Sequence, residues 1–308
     1  MFLFRFYYYY YNHNHLYPRA RIYMQYKMVI EYQYVLTSSD VPVVISRIIV
    51  FFILFEIIFQ LLLKFLPEQP KLFDSKSKLT PGRFRTAVAI NCICVVHAAF
   101  GSAVAIYALF YDAAMYDILQ HCMQFNYDAL YEKIFLIQES TYCSFLVTMC
   151  VGYFTWDLYN YRMQAVFEFV MILHHLISII VWPIATCYGL GNFFLLYFIA
   201  TEFSSPLIHV RWYLRSIYGK KIEWLIATVT FVLVFTFARI ITMPYVLFGL
   251  YASNTWQHSS LPFWLRLIST STLYLPCLLN MYWFLYILKM CTSFLCDSTR
   301  RRRKRLKK

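Results

Sequence analysis

Residues 167–182 read FEFVMILHHLISIIVW and place two adjacent histidines, His174 and His175, inside a mostly apolar run. Ionisable side chains are rare at membrane depth, and those that occur usually face the interior of a helix bundle or a cavity. The pair therefore marks a candidate functional site. The alternative is that both histidines only hydrogen-bond between neighbouring helices.

The whole chain has the composition of a membrane protein. Of its 308 residues, 61% are hydrophobic and only 14% are charged, which is too apolar for an ordinary soluble domain. A spanning helix needs about 20 mainly apolar residues. Seven segments qualify, namely 41–66, 86–110, 139–161, 166–186, 192–212, 224–250 and 262–290, although Glu202 and Pro206 weaken the fifth. The predicted fold class is an all-α multi-pass membrane protein with a bundle of six to seven transmembrane helices.

Charge in the connecting segments predicts the orientation and the domain organisation. Lysine and arginine concentrate in 67–85, 211–221 and 291–308, whereas 111–138 is acidic. Basic loops are cytoplasmic as a rule, so the C-terminus is predicted to be cytoplasmic. The basic tail 291–308 indicates contact with anionic lipids and not with nucleic acid. Ahead of it lie a Tyr-rich, low-complexity segment at 1–40, predicted to be disordered, the first transmembrane helix with its basic loop at 41–85, and the main transmembrane domain at 86–290.

Several polar residues are predicted to share one depth in the bilayer. A helix rises about 1.5 Å per residue, which places His97 and Glu202 near the level of the histidine pair. Arg239 lies several residues higher, but its long side chain can reach back to that level. Adjacent helical residues point about 100° apart, so His174 and His175 should have separate partners. His175 shares a stripe with Glu168 and Ser178, and we expect it to be the histidine that faces a cavity.

Pro206 gives Glu202 a second predicted property. A proline removes the backbone hydrogen bond to the carbonyl four residues earlier, which here is that of Glu202. A carboxylate and a free carbonyl together would favour a polar cavity or a substrate contact. The alternative is a simple proline kink, with Glu202 protonated or paired to Arg239.

These residues resemble the core of the TLC-domain family. The resemblance rests on His174-His175, on Thr-Glu-Phe-Ser-Ser-Pro at 201–206 followed by Arg211-Trp212, and on matching residues in 91–98 and 152–157. The order and spacing are most similar to the small TLC domain-containing proteins of the type-4 subfamily. In ceramide synthases of this family the double histidine is joined by two aspartates three residues apart. Those positions correspond here to Glu202 and Ser205, so the second acid is missing.

The resemblance implies a protein of the endoplasmic reticulum or connected membranes that acts in lipid homeostasis. Its bundle cavity would receive a fatty-acyl or sphingolipid-like molecule. The candidate catalytic residues are His174, His175 and Glu202, and the candidate headgroup contacts are Arg211 and Trp212. The candidate cavity residues are His97, Asp157, Ser178, Ser204, Ser205 and Arg239.

Two other functions stay open at this stage. One is a ceramide-synthase-like N-acyltransferase that uses fatty acyl-CoA, with His174 or His175 as general base or acyl acceptor and Glu202 orienting it. Its difficulty is the missing acid at Ser205. The other is a lipid transporter or membrane scaffold. Membrane lipids are the expected partners, neither a cofactor nor a metal ion is expected, and the oligomeric state is undetermined.

Overall fold

The fold is a bundle of helices, as predicted. The computed structural model describes residues 40–67, 81–124, 140–160, 169–189, 191–218, 222–243 and 263–306, and the regular elements in these ranges are all helical. The α-helices are α1 (Asp40–Phe65), α2 (Pro81–Tyr111), α3 (Ala113–Met123), α4 (Thr141–Asn160), α5 (Phe169–Cys187), α6 (Asn192–Thr201), α7 (Ser205–Tyr218), α8 (Ile222–Phe235) and α9 (Phe263–Leu306). The Tyr-rich segment 1–39, Arg162 and Glu168 lie outside the described residues.

Five helical stretches are long and apolar enough to cross a membrane, judged by length and composition within the described ranges. They are Val41–Phe65, Gly82–Tyr111, Phe169–Cys187, Asn192–Ser216 and Ile222–Ile241, and a shorter apolar stretch, Leu273–Lys289, lies in α9. Each overlaps one of the predicted spans, including the doubtful fifth one. The remaining predicted span, 139–161, forms α4, which is more polar than the five candidate spans.

The polar helix α4 lies at the centre of the bundle, where its composition is no disadvantage. It contacts α1, α2, α5 and α6, and it buries Thr148, Asp157 and Asn160. Trp156, fully buried, donates from Nε1 to the Glu56 carboxylate of α1 at 2.9 Å. Polar groups that face neighbouring helices and not lipid strengthen helix association in a membrane. Contacts with neighbouring helices, and not a hydrophobic surface toward lipid, thus hold α4 in the bundle.

Local sequence signals set the ends of several helices. Pro81 is the first residue of α2, a position that needs no backbone donor. Asp112 caps α3 by accepting from the backbone of Ala114 at 3.1 Å. Gly189 and Gly191 have positive φ angles of 62° and 65° in the short connection between α5 and α6, which a side chain would strain.

Two irregular turns interrupt the helices near the middle of the bundle. A 3-10 turn, Glu202–Ser204, joins α6 to α7, and α8 continues into a π-helical turn, Thr236–Ile241. Such π turns are rare and occur frequently at functional sites. The charge boundary at residue 291 does not end a helix, because α9 continues through Leu306.

Gly152 allows α1 and α4 to approach closely. A Cβ atom at this position would lie 2.6 Å from Phe51 Cβ and 2.9 Å from the Ile48 carbonyl oxygen. Both are atoms of or next to the α1 backbone, which cannot turn aside. Gly82, in contrast, has no atom within 4 Å of such a Cβ.

We therefore expect Gly152→Ala to force α1 away from α4 and to destabilise the protein by about 1–3 kcal/mol, the usual range for overpacking. The thermal unfolding midpoint of the detergent-solubilised chain measures this effect. Gly82→Ala is the matched control and should leave the midpoint unchanged or slightly raised. Equal midpoints for the two variants would contradict the close approach at Gly152.

Candidate functional site

An ion pair between a buried arginine and a partly exposed glutamate forms the centre of the site. Arg239, only 7% exposed, lies in the π turn, and its Nη2 is 2.8 Å from Oε2 of Glu202 in the 3-10 turn. Its other donors reach Ser204 Oγ at 3.0 Å, Ser205 Oγ at 3.1 Å and Asn280 Oδ1 at 3.1 Å. Most of the hydrogen-bonding capacity of Arg239 is thus used inside the protein. The sequence had left open whether Glu202 would be paired to Arg239, and the structure shows that it is.

Glu202 is tied to Ser205 in two ways. The Ser205 hydroxyl donates to Glu202 Oε2 at 2.5 Å, and the Ser205 backbone N–H donates to the Glu202 carbonyl. The prediction of a free carbonyl is therefore wrong, because the chain adopts a 3-10 turn whose hydrogen bonds span three residues and bypass Pro206. Both Arg239 and Ser205 bind Oε2, so no residue among those described binds Oε1 of Glu202.

A small cavity opens beside this ion pair. It is lined by His174, Trp182, Phe198, Thr201, Glu202, Arg239, Met243, Pro276, Asn280 and Trp283. The enclosed space is about 20 Å³, enough for roughly one ordered water. The lining combines polar groups with aromatic and aliphatic side chains. Because the space is so small, an acyl chain can enter only if helices move apart.

The two histidines have separate partners, as predicted, but their roles are exchanged. His174 lines the cavity and meets Trp283 of α9 edge to face, at 5.6 Å between ring centroids. His175 stacks on Phe154 at 4.7 Å, and its Nδ1 lies 3.3 Å from Asp157 Oδ2, an ion-pair distance without hydrogen-bond alignment. The prediction that His175 faces the cavity is wrong. The stripe that carries His175 and Ser178 packs against α4 instead.

His97 is also absent from the cavity. It stacks on Tyr153 of α4 at 3.9 Å between centroids, and the Tyr153 hydroxyl lies 2.9 Å from Cys94 Sγ. The buried Nε2 of His97 has no hydrogen-bond partner among the described residues. The predicted mid-membrane layer is therefore divided into an ion-pair cluster beside the cavity and an aromatic-histidine cluster around α4.

The remaining predicted site residues have mainly structural contacts. Ser178 donates to the backbone carbonyl of His174 at 2.9 Å. Arg211 lies over the Trp224 ring at 5.8 Å, whereas Trp212 stacks on Phe84 at 6.2 Å. Arg211 and Trp212 thus have different neighbours.

Four polar contacts were not predicted from the sequence. Asn280 is 2% exposed and holds Arg239, and Glu56 accepts from both Trp156 and Gln60, the latter at 2.7 Å. A single asparagine or glutamate in an apolar run is the signal that could have revealed them. His209 and Asn91 form a further side-chain hydrogen bond between α7 and α2.

Metal and thiol chemistry receive no support from the described residues. No group of three histidine, cysteine or acidic side chains in these ranges is placed to hold a metal ion, and the cysteines described form no disulfide. Cys122 lies on α3, outside the candidate spans, and burial raises the pKa of its thiol to about 12. Such a thiol stays protonated and unreactive at neutral pH.

The ion pair generates a prediction about stability. Glu202→Gln leaves the buried Arg239 charge without its partner, and we expect it to destabilise the chain by about 3–5 kcal/mol. Arg239→Met leaves the Glu202 charge, whose side chain is 25% exposed, and should cost less. The double variant should recover much of that loss, because neither charge then remains. Thermal unfolding of the four proteins in a double-mutant cycle measures the coupling. Arg47→Gln, an exposed arginine on α1, is the control, and additive effects in the cycle would contradict the ion pair.

Comparison with known proteins agrees with this architecture. The TRAM/LAG1/CLN8 family model, described as the TLC domain, matches residues 87–289. No curated protein matches the chain, and no solved structure matches it. The match covers most of the chain, from the start of α2 through the cavity-lining part of α9, and this protein belongs to the TLC-domain family.

Proposed function

We propose that this TLC-domain protein acts in lipid homeostasis by binding fatty-acyl or sphingolipid-like molecules at the mid-membrane cavity. The observation that carries the proposal is the cavity itself, in which His174 and the Glu202–Arg239 ion pair lie between apolar walls. The likeness to the type-4 subfamily and a location in the endoplasmic reticulum, with the C-terminus in the cytoplasm, are parts of the same proposal.

The polar end of a ligand would decide the affinity. Moving an acyl chain from a bilayer to an apolar cavity gains little, because lipid tails are as apolar as the helices. Glu202 and the His174 ring both line the cavity, and Arg239 and Ser205 bind Glu202 at Oε2. The carboxylate and the His174 ring favour a headgroup that donates a hydrogen bond, such as a hydroxyl, amide or amine.

Helix α9 is the wall that would move to admit the chain. Pro276, Asn280 and Trp283 line the cavity from one face of this helix. Pro276 lacks a backbone donor, so one hydrogen bond of α9 is missing beside the cavity. Trp283 is half-buried and meets His174, which closes the gap between α9 and α5.

Photocrosslinking with a diazirine-bearing long-chain amide tests lipid binding. We expect the purified full-length chain to be labelled, and His174→Ala to reduce labelling at least about fivefold because the headgroup loses a partner worth roughly 1 kcal/mol or more. Trp283→Ala should increase labelling by widening the entrance. His121→Ala, on α3 and away from the cavity, is the matched control. Labelling that none of these variants changes would place the lipid elsewhere.

One observation favours a second function, that of an N-acyltransferase. His175 lies 3.3 Å from Asp157, so an acid from α4 lies beside one histidine of the pair although Ser205 replaces the second acid of the motif. In the reaction the nitrogen of a long-chain amine would attack the thioester carbonyl of an acyl-CoA. The C–S bond would break, an amide would form, and the CoA thiol would leave with the proton that the amine gives up.

This second function makes its own prediction. Purified chain supplied with fatty acyl-CoA and a long-chain amine should form amide, and His174→Ala should abolish the product, whereas Asp157→Asn should lower the rate about 100-fold by removing the charge beside His175. Product analysis by mass spectrometry measures turnover. Lipid labelling without any amide product would reject the enzyme and retain the binding function.

A further inference from the structure

A pair of arginines lies at the end of the candidate span Asn192–Ser216, away from the cavity. Arg211 and Arg215 are four residues apart on α7 and therefore lie on one helix face. Their guanidinium carbons lie 5.8 Å and 5.7 Å from the centre of the Trp224 ring on α8. Trp224 is 6% exposed, so the indole is a fixed platform shared by both cations.

Neither arginine is neutralised by the described residues. Arg211 and Arg215 form no ion pair or hydrogen bond with any of them, and Nε of Arg211 is buried without a partner. Arg239, in contrast, binds four side chains. Two guanidinium groups held together repel each other, and partial burial raises that cost unless an anion is present.

We propose that Arg211, Arg215 and Trp224 form a binding site for the phosphomonoester headgroup of an anionic lipid. A guanidinium binds phosphate oxygens in a bidentate fork. A phosphomonoester carries about −1.5 to −2 charges at neutral pH and so matches two arginines, whereas a phosphodiester carries only one. Tryptophan is enriched at the level of lipid headgroups.

The surface next to the arginines indicates that the phosphate belongs to a lipid. The helix face that carries the arginines also carries Ile208, which is 40% exposed. It lies three residues before Arg211 and seven before Arg215, at helical spacing, and deeper in the candidate span Asn192–Ser216. An acyl chain can lie along this face while the headgroup meets the arginines. The site is separate from the cavity, since Arg211 lies nine residues along the chain from Glu202, about 13 Å along the helix.

Native mass spectrometry of the full chain in neutral detergent tests the proposal. Phosphatidic acid, phosphatidylserine and phosphatidylcholine are titrated separately, and bound lipid is counted. We expect phosphatidic acid to bind most tightly. Arg211→Gln/Arg215→Gln should weaken it at least about tenfold, since each charge-assisted contact is lost, while Arg211→Lys/Arg215→Lys should weaken it less. Arg83→Gln, an exposed arginine at the start of α2, is the control and should change the affinity less than about twofold.

Four outcomes would overturn the site. They are equal binding of phosphatidic acid and phosphatidylserine, unchanged affinity in the double glutamine variant, an equal loss in Arg83→Gln, and displacement of the lipid by an equal concentration of inorganic phosphate. If the double variant does not fold, as judged by its unfolding midpoint, Arg215→Gln alone gives the same test, because Arg215 is exposed and packs little. His174→Ala should retain phosphatidic acid binding, so failure of the cavity and failure of this site are distinguishable.

Discussion

Two opposite charges, Arg239 and Glu202, meet inside an apolar bundle, and much of the local geometry follows from keeping them together. An unpaired charge at this depth is costly, and an ion pair there is tolerated only when its remaining donors and acceptors are also satisfied. Ser204, Ser205 and Asn280 supply those contacts. The cluster thereby joins the 3-10 turn before α7, the π turn after α8 and the middle of α9. Each irregular turn carries one member of the pair, since Glu202 begins the 3-10 turn and Arg239 lies in the π turn, 2.8 Å away.

The hydroxyl at Ser205 changes the chemistry of the motif that ceramide synthases use. A second carboxylate at this position would lie beside Glu202 and would leave a net negative charge around Arg239. Ser205 instead donates to the carboxylate and accepts from the guanidinium, which keeps the cluster neutral. A neutral cluster can orient a headgroup, while Oε2 of its carboxylate is already engaged by Arg239 and Ser205. This arrangement favours binding at the cavity over the acyl-transfer chemistry of the two-acid motif.

Sequence reasoning could place residues by depth but not by direction. The rise per residue placed Arg239 several residues above Glu202 but within reach of its long side chain, and their pairing was one of the alternatives considered. The direction of each side chain depends on how its helix is rotated about its axis, which the sequence does not give. In the structure His174, not His175, faces the cavity, and His97 stacks on Tyr153. The central position of α4 could not be predicted either. Its polar residues lower the hydropathy by which spans are identified, and their contacts with neighbouring helices are seen only in the structure. Asn280 was missed since one neutral side chain hardly alters an apolar run.

The same cluster also determines how a ligand could enter. A headgroup that binds Glu202 Oε1 leaves the bonds at Oε2 intact, so the ion pair can persist while the cavity fills. Parting α6 from the π turn would break the Glu202–Arg239 contact and is therefore expensive. Parting α9 from α5 leaves the Glu202–Arg239 contact in place and breaks the His174–Trp283 ring contact, which is worth about 1 kcal/mol. The easier opening is therefore between α5 and α9, where Pro276 has already removed one backbone hydrogen bond.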